Sequence, residues 1–182
     1  DLQSHACTEG SREVADSLEG RVEILEAPPT FEQLIEAQRT IHLTEAFRAF
    51  DSMGFIGNPQ LSEVITKMLA QGRSVPQSQY DEALVIRDSL TEFFDNFFED
   101  FDAILSPSSS GEAPPLSEGH TGNPVFCTVW TLAGLPSLNL PILQGDNGLP
   151  IGLQMIGRRR DDARLLRTAR WFMTALFNEG EG

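Results

Sequence analysis

The chain has 182 residues, 40% of them hydrophobic, and its 13 Lys and Arg against 27 Asp and Glu give a formal charge of −14. A chain with this many apolar residues can bury a core, so the composition indicates a folded acidic protein. The negative net charge disfavours binding of nucleic acid through its phosphates, because such binding needs a basic surface. No apolar run is long enough to span a membrane. The two cysteines, Cys7 and Cys127, have neither a disulfide framework nor a metal-ligand spacing. We therefore expect no metal, no cofactor and a reducing, cytoplasmic location.

The first third of the sequence predicts a helix, a strand and a second helix. Weak periodicity in 11–19 indicates the first helix, and the alternation of polar and apolar residues in 21–26 indicates a half-buried strand. A helix then begins at Thr30 and runs to about Phe50. Thr30 and Gln33 have the spacing of a capping box, which favours this start.

The helix after Thr30 carries polar side chains on the face that its apolar residues predict to be buried. Gln38, His42 and Glu45 share this face with Phe31 and Ile35 at 3.6 residues per turn. Two interpretations stay open, a polar network at a functional site or a core histidine satisfied by its neighbours. The second is favoured, because functional histidines are the rarer kind.

Two further helices are predicted before the middle of the chain. The first covers about 61–70 and carries Lys67, the only lysine. The second, 78–101, has apolar residues at intervals of three and four and is the strongest helix pattern in the sequence. Its phenylalanines are typical of core packing, since each buried ring contributes about 1.5 to 3 kcal/mol. The stripe consists of Ala83, Ile86, Leu90, Phe93, Phe94, Phe97 and Phe101.

A long loop stands at the start of the second half. A short buried strand at 102–105 leads into a segment of Ser, Gly and Pro that reaches Gly122, and loops of this length in compact domains are usually functional. Asn123 and Pro124 then supply an N-cap and a first helical residue, and Gly134 ends the helix that they begin.

Two strands and a last helix complete the pattern, which is that of a mixed α/β protein. The apolar runs 137–143 and 151–156 predict two strands around a loop of Gly, Asn and Asp. Asp161 and Asp162 place negative charge at the start of the last helix. The predicted buried face of this helix contains Leu165, Leu166, Ala169, Phe172, Met173 and Leu176.

Four serines in 106–110 form the only dense cluster of nucleophile-type side chains. A serine hydroxyl is inert until a base removes its proton, and the candidate bases are Lys67 and His120, the latter oriented by Glu118. No Gly-x-Ser-x-Gly elbow surrounds the serines, and Lys67 lies on a surface-type helix, where a lysine is not desolvated enough to act as a base. A structural Ser/Pro loop is therefore favoured over a self-contained catalytic site.

Two other features have a structural interpretation. The arginines of 158–160 precede a helix start that Asp161 already caps, so we expect a solvated turn rather than an anion site. Cys127 lies in an apolar helix, which predicts a small buried hydrophobic residue.

The second half of the sequence carries a series of motif-like segments, at 101–109, 121–124, 132–141, 148–157 and 161–166. The helix before the 102–105 strand carries Tyr80-x-x-Ala83-x-x-x-Arg87, and the helix after Thr30 carries the pair Glu45-Ala46. Taken in order, these segments resemble the C-terminal region of the amidase signature family. The resemblance runs along nearly the whole chain and is most specific in the second half.

The resemblance implies amide hydrolysis or transfer by a Ser-Ser-Lys triad, with the middle serine after a cis peptide bond. In such a triad lysine removes the nucleophile's proton through the middle serine, and backbone N–H groups of a Gly/Ser-rich loop hold the oxyanion. In the family these residues belong to the N-terminal half, and this sequence has no Gly-Gly-Ser-Ser-Gly-type segment. No catalytic residue can therefore be assigned to the chain, and the serines of 106–110 are not the triad.

The expected fold is α/β, with a mixed β-sheet covered by helices. Residues 1–182 would then be the C-terminal part of a single amidase-type domain, inactive alone. In the family, the position of the 106–110 serines lines one wall of the substrate cleft. The candidate cleft residues are Ser106, Ser108, Ser109 and Asn123, with Thr121 and Trp130 behind them.

The expected partner is a small-molecule amide, bound only together with the N-terminal half. Glutamine-using members of the family carry an aspartate where Pro124 stands, so a less charged amide is favoured. An open strand edge or an apolar face predicts self-association. Two alternatives stay open: a stand-alone, non-catalytic binding or regulatory module with the amidase fold, and an acidic partner-binding domain unrelated to amidases.

Overall fold

A computed structural model describes residues 4–18, 20–25 and 30–178. No helix in these ranges is long and apolar enough to cross a membrane. The helices are α1 (His5–Ser17), α2 (Phe31–Ser52), α3 (Glu63–Ser74), α4 (Gln77–Asp100), α5 (Val125–Ala133) and α6 (Asp162–Asn178). The strands are β1 (Ile104–Pro107), β2 (Ser137–Gln144) and β3 (Pro150–Ile156), and a short 3₁₀ helix covers Leu116–Glu118.

The chain divides into two compact units. The sheet unit comprises the described residues of Asp1–Ala27 and Phe93–Gly182, and the helical unit those of Pro28–Glu92. The assignment of 1–182 to a single domain stays a prediction.

In the helical unit, α2 and α3 approach closely because Gly72 of α3 has no side chain. Gly72 is buried, and a Cβ at this position would overlap the carbonyl oxygen of Leu43 on α2. A second set of contacts joins α2 to the first turns of α4. The Tyr80 hydroxyl donates to Glu45 Oε1 at 3.0 Å, and the guanidinium carbon of Arg48 lies 4.3 Å from the centre of the Tyr80 ring. The two residues that carry the family resemblance here, Glu45 and Tyr80, therefore contact each other.

The buried face of α2 is not the predicted one. Ala37, Thr40, Ile41 and Thr44 are buried, whereas His42 is exposed. The interpretation as a core histidine is therefore wrong, and the polar network at a functional site stays a prediction. Thr44, on the face that is buried, satisfies its hydroxyl by donating to the carbonyl of Thr40 at 2.8 Å.

The predicted capping box at Thr30 is also wrong. Thr30 makes no side-chain capping hydrogen bond, and its ψ of 2° lies outside the extended region that an N-cap side chain needs to reach back. The helix still begins at Phe31, with Glu32 in its first turn, where a negative charge is favourable. Helix starts are thus tolerated without a side-chain cap when the helix packs against neighbours.

The predicted strand at 21–26 is not formed by residues 21–25, and Glu26 lies outside the described residues. Ile24 and Leu25 are exposed rather than half-buried. Alternation makes a strand only where a partner strand offers its backbone groups. The predicted helix at 11–19 is present as part of the longer α1, with Glu19 again outside the described residues.

In the sheet unit, β3 lies between β1 and β2, and both pairings are antiparallel. Ser106 of β1 and Asn139 of β2 both face Gln154 of β3 in the register. The two edge strands carry prolines, which lack an N–H donor, and the register of β2 shifts between Leu140 and Leu143 around Pro141. The predicted α/β class is confirmed; the pairings among the described strands are antiparallel throughout rather than mixed.

The core of the sheet unit lies between one face of the sheet and the helices α1 and α6. Phe172 of α6 is 1% exposed and belongs to the same cluster as Leu153 and Met155 of β3. Leu166, predicted to be buried, is 58% exposed, because the buried line of Leu165, Ala169 and Phe172 faces the sheet, with Met173 and Leu176 partly buried beside it. The other members of the buried cluster are Val14, Leu18 and Leu140.

The end of α4 packs its phenylalanines as predicted, with two differences. Phe94 is buried, and its ring lies edge-on to Trp130 of α5 with centroids 5.6 Å apart. Phe93 is exposed, and Phe98, which was not in the predicted stripe, is almost completely buried. The stripe therefore continues through Phe98, one helical turn after Phe94.

Candidate functional site

The predicted cleft serines stand where β1 leaves the sheet, at the start of the segment 108–124, called here the serine loop. The backbone N–H of Ser108 donates to the carbonyl of Gly152 at 2.9 Å, and its hydroxyl donates to the same oxygen at 2.9 Å. Gly152 is required for this approach, since a Cβ there would overlap the hydroxyl of Ser108 and the side-chain oxygen of Asn139. Ser108 is therefore fixed against β3.

Each of the three predicted cleft serines donates its hydroxyl to a backbone carbonyl. The Ser106 hydroxyl donates to the carbonyl of Pro107 at 3.2 Å, and the Ser109 hydroxyl donates to the carbonyl of Gly111 at 2.7 Å. The Ser108 hydroxyl donates to the carbonyl of Gly152, as described above. A hydroxyl has one proton and two lone pairs, so these oxygens keep the capacity to accept a hydrogen bond. The three hydroxyls thus donate to backbone carbonyls, and none of them donates to a basic side chain.

The two candidate bases are committed elsewhere. His120 Nε2 lies 3.0 Å from Glu118 Oε2, and its Nδ1 accepts from the backbone N–H of Gly122 at 3.1 Å, so both ring nitrogens are occupied. On α3, Lys67 Nζ lies 2.6 Å from Glu63 Oε1, and the Lys67 side chain is 71% exposed, as expected of a solvated lysine. Neither environment activates a serine.

A buried glutamine, Gln154, connects the strands and helix around the serines. Its side-chain nitrogen donates to the carbonyls of Pro107 at 2.8 Å and Phe126 at 2.7 Å, and its oxygen accepts from the Ser137 hydroxyl at 3.0 Å. Gln154 is 3% exposed, and a buried amide with its groups satisfied holds its neighbours in one arrangement. Sequence reasoning missed it, although a lone polar residue in the apolar run 151–156 was a usable signal.

Cys127 is exposed, so the prediction of a buried residue is wrong. Its sulfur lies 3.7 Å from the carbonyl oxygen of Ser108 and 4.0 Å from the side-chain oxygen of Gln154. The short helix α5 turns Val125 and Val129 into the core, and Cys127 consequently lies on the opposite, serine-loop side.

The remaining predicted cleft residues have separate environments. Asn123 Oδ1 accepts from the N–H of Val125, the first residue of α5, at 3.1 Å, but the N-cap is Pro124, one residue after the predicted one. Thr121 is exposed. Trp130 lies against Phe94, and its indole N–H is buried with no hydrogen-bond partner in the described parts of the chain. The structure thus groups Ser106, Ser108 and Ser109, while no hydrogen bond of the described residues joins Thr121 or Trp130 to them. Their shared role as cleft residues stays a prediction.

The N-terminus of α1 contacts the serine loop from another side. The backbone N–H of Ser4 donates to the carbonyl of Ser110 at 2.6 Å, and the Cys7 sulfur lies 3.8 Å from the carbonyl oxygen of Ser109. Ser4 also caps α1 by accepting from the N–H of Cys7 at 3.3 Å. Burial raises the pKa of the Cys7 thiol, so Cys7 is a neutral packing residue at neutral pH.

Comparison with known proteins identifies the family. The Amidase family model matches residues 5–166. The chain therefore belongs to the amidase family, and the resemblance read from its motifs is confirmed.

The similar proteins include components of amidotransferases. A subunit of the glutamyl-tRNA(Gln) amidotransferase of Brevibacillus brevis is 32% identical over 142 residues, which are 74% of this chain and 29% of that protein. Its mitochondrial counterpart in Mus musculus is 34% identical over 104 residues, or 53% of this chain and 19% of that protein. The chain thus spans less than a third of the length of these relatives.

Solved structures show the same fold. A crystal structure of an amidase matches 95% of this chain and 42% of its own, with a TM-score of 0.78 and 23% identity. Fatty acid amide hydrolase matches 96% of this chain and 37% of its own, with a TM-score of 0.73 and 20% identity. The TM-scores establish that the fold is shared, and identities this low leave the substrate open.

Proposed function

We propose that the chain is the C-terminal part of an amidase that hydrolyses the C–N bond of a carboxylic amide, and that it is inactive alone. Its role is to supply the sheet, helices and one wall of the substrate cleft. The observation that carries this proposal is the family match combined with the state of the candidate cleft serines Ser106, Ser108 and Ser109, whose hydroxyls donate to backbone carbonyls. A nucleophilic serine needs a base to accept its proton, and a carbonyl oxygen is not one.

The substrate in this proposal is a small amide with little charge. The oxygens of Ser106, Ser108 and Ser109 retain lone pairs, so this wall accepts hydrogen bonds from the N–H groups of an amide. Pro124 stands where glutamine-using members of the family have an aspartate, which disfavours an amino-acid ammonium. A cytoplasmic location belongs to the same proposal, because free thiols are typical of reducing compartments.

The alternative function is a stand-alone, non-catalytic binding module with the amidase fold. It is favoured by the same engaged hydroxyls, since a module that only binds an amide needs acceptors and no base. The two functions differ in what the gene encodes before Asp1.

The upstream reading frame and the protein that it encodes test the proposal. We expect in-frame codons for a Gly/Ser-rich segment with adjacent serines and, some tens of residues earlier, a lysine. The chain extended through that segment is expected to release ammonia from propionamide, and replacing the upstream lysine with alanine is expected to abolish the release. A start codon directly before Asp1, or an extended protein without turnover, would instead support the binding module.

A further inference from the structure

The side chain of Glu112, near the start of the serine loop, reaches the hairpin loop 145–149 between β2 and β3. Its Oε1 accepts from the backbone N–H groups of Asn147 at 3.0 Å and Leu149 at 2.9 Å. Its Oε2 accepts from the side-chain amide of Asn147 at 2.7 Å. Three donors converge on one carboxylate, and hydrogen bonds to an ionised acceptor are stronger than those between neutral groups.

The hairpin loop has the shape that this contact requires. Inside this loop the N–H of Gly145 donates to the carbonyl of Leu149, and the N–H of Gly148 donates to the carbonyl of Gly145, each at 3.0 Å. The N–H groups of Asn147 and Leu149 therefore remain for Glu112. A Cβ on Gly145 would overlap the Glu112 side chain. The Asn147 side chain lowers the pKa of Glu112, and the two backbone donors lower it further against an opposing desolvation. The carboxylate is therefore ionised at neutral pH.

Glu112 is the last fixed point of the serine loop before its exposed part. Upstream, Ser108 is bonded to β3 and Ser110 to Ser4 of the α1 cap. Downstream, Leu116 at the 3₁₀ helix is 97% exposed. The part that carries the predicted cleft serines is thus held at both ends, and Glu112 supplies the downstream attachment.

We propose that Glu112 is the positioning residue of the substrate wall: by attaching the serine loop to the hairpin loop, its carboxylate holds the adjacent Gly111, whose carbonyl accepts from the Ser109 hydroxyl, next to the Ser108 that β3 holds. The proposal rests on the proposed function only in identifying these serines as that wall. Glu112 does not touch the reacting atoms in this scheme. Without it, Gly111 and residue 112 exchange among several arrangements, and the Ser109 hydroxyl loses its fixed acceptor, while Ser108 stays bonded to Gly152.

The first test is residue-resolved hydrogen exchange on the purified chain. Glu112→Ala is expected to speed exchange of the Asn147 and Leu149 amides, which donate to its carboxylate, by about tenfold or more, as the loss of charge-assisted hydrogen bonds implies, while the Ser108 amide, bonded to Gly152, keeps its rate. Glu118→Gln is the matched control, since Glu118 is an acidic residue of the same loop that pairs with His120. Unchanged exchange in Glu112→Ala, or equal acceleration of every amide in the sheet unit, would overturn the proposal.

A rescue experiment separates positioning from general stability. Asn147→Asp places two carboxylates together, and we expect the same fast exchange as in Glu112→Ala. Glu112→Gln combined with Asn147→Asp restores one donor and one acceptor between the side chains, so exchange is expected to slow again. A double variant as fast as Asn147→Asp alone would contradict a direct Glu112–Asn147 interaction.

The upstream-extended protein distinguishes failure of the positioning role from failure of the proposed function. There Glu112→Ala is expected to raise KM for propionamide while kcat falls less. A fall in kcat with KM unchanged would overturn the positioning role even if exchange is fast. An extended protein with no turnover in any variant would overturn the proposed function. The exchange results would then still decide whether Glu112 holds the serine loop, because they do not depend on turnover.

Discussion

Phe172→Ala is expected to lower the free energy of unfolding of the sheet unit by about 3 to 5 kcal/mol, the usual loss for a fully buried phenylalanine. Phe172 is 1% exposed and packs in the cluster that β3 and α6 share. Removing its ring leaves a cavity under the central strand β3. The neighbouring residues cannot move to fill this cavity, because the hydrogen bonds of the sheet hold the strand in place. Since whole domains are stable by only about 5 to 15 kcal/mol, this change removes a large part of the total.

Urea denaturation followed by tryptophan fluorescence measures this loss in the right place. The chain's two tryptophans, Trp130 and Trp171, both lie in the sheet unit. Phe177→Ala is the matched control, because Phe177 is on the same helix and 59% exposed. We expect a small effect from the control, and equal losses in the two variants would show that α6 does not pack as described.

Gly72→Ala is expected to destabilise the helical unit by about 3 kcal/mol, the upper part of the usual range for overpacking. Within a helix, alanine is favoured over glycine by about 1 kcal/mol, so propensity alone predicts stabilisation. The overlap with the Leu43 carbonyl oxygen decides the sign, because a backbone oxygen cannot rotate away as a side chain can. The α2 and α3 backbones would have to separate.

The control for Gly72→Ala is Gln71→Ala, at an exposed position on the same helix. Denaturation followed by the fluorescence of Tyr80, the only tyrosine, reports on the helical unit. A stability equal to or above that of the parent chain in Gly72→Ala would contradict the close approach of α2 and α3.

Features encoded by neighbouring residues were predictable from the sequence. The helix end at Gly134 is confirmed by a φ of 66°, and the helix start at Asp161 by the hydrogen bond that Asp161 Oδ1 accepts from the Arg164 N–H, whereas the N-cap of α5 is Pro124, one residue after the predicted Asn123. These signals act over one turn of helix, so the chain far away does not alter them. The order of the second-half elements follows from such signals and from the spacing of apolar residues.

Features that depend on distant parts of the chain were not predictable. His42 and Leu166 were placed on the wrong faces because periodicity gives a helical stripe but not its partner. Glu112 and Gln154 were missed because their bonding partners lie about thirty-five and up to forty-seven residues away and include backbone groups, which leave no mark in the sequence. The resemblance to the amidase family identified the serine loop, yet only the structure showed where its hydroxyl protons are directed.

Ammonia release from propionamide by the purified, unextended chain tests the proposed lack of catalysis most directly. We expect no release above buffer, because the hydroxyls of Ser106, Ser108 and Ser109 donate to carbonyls and Lys67 is exposed and paired with Glu63. Turnover by the chain that is lost in Ser108→Ala or Lys67→Ala would contradict this, since it would show a catalytic site complete within these 182 residues.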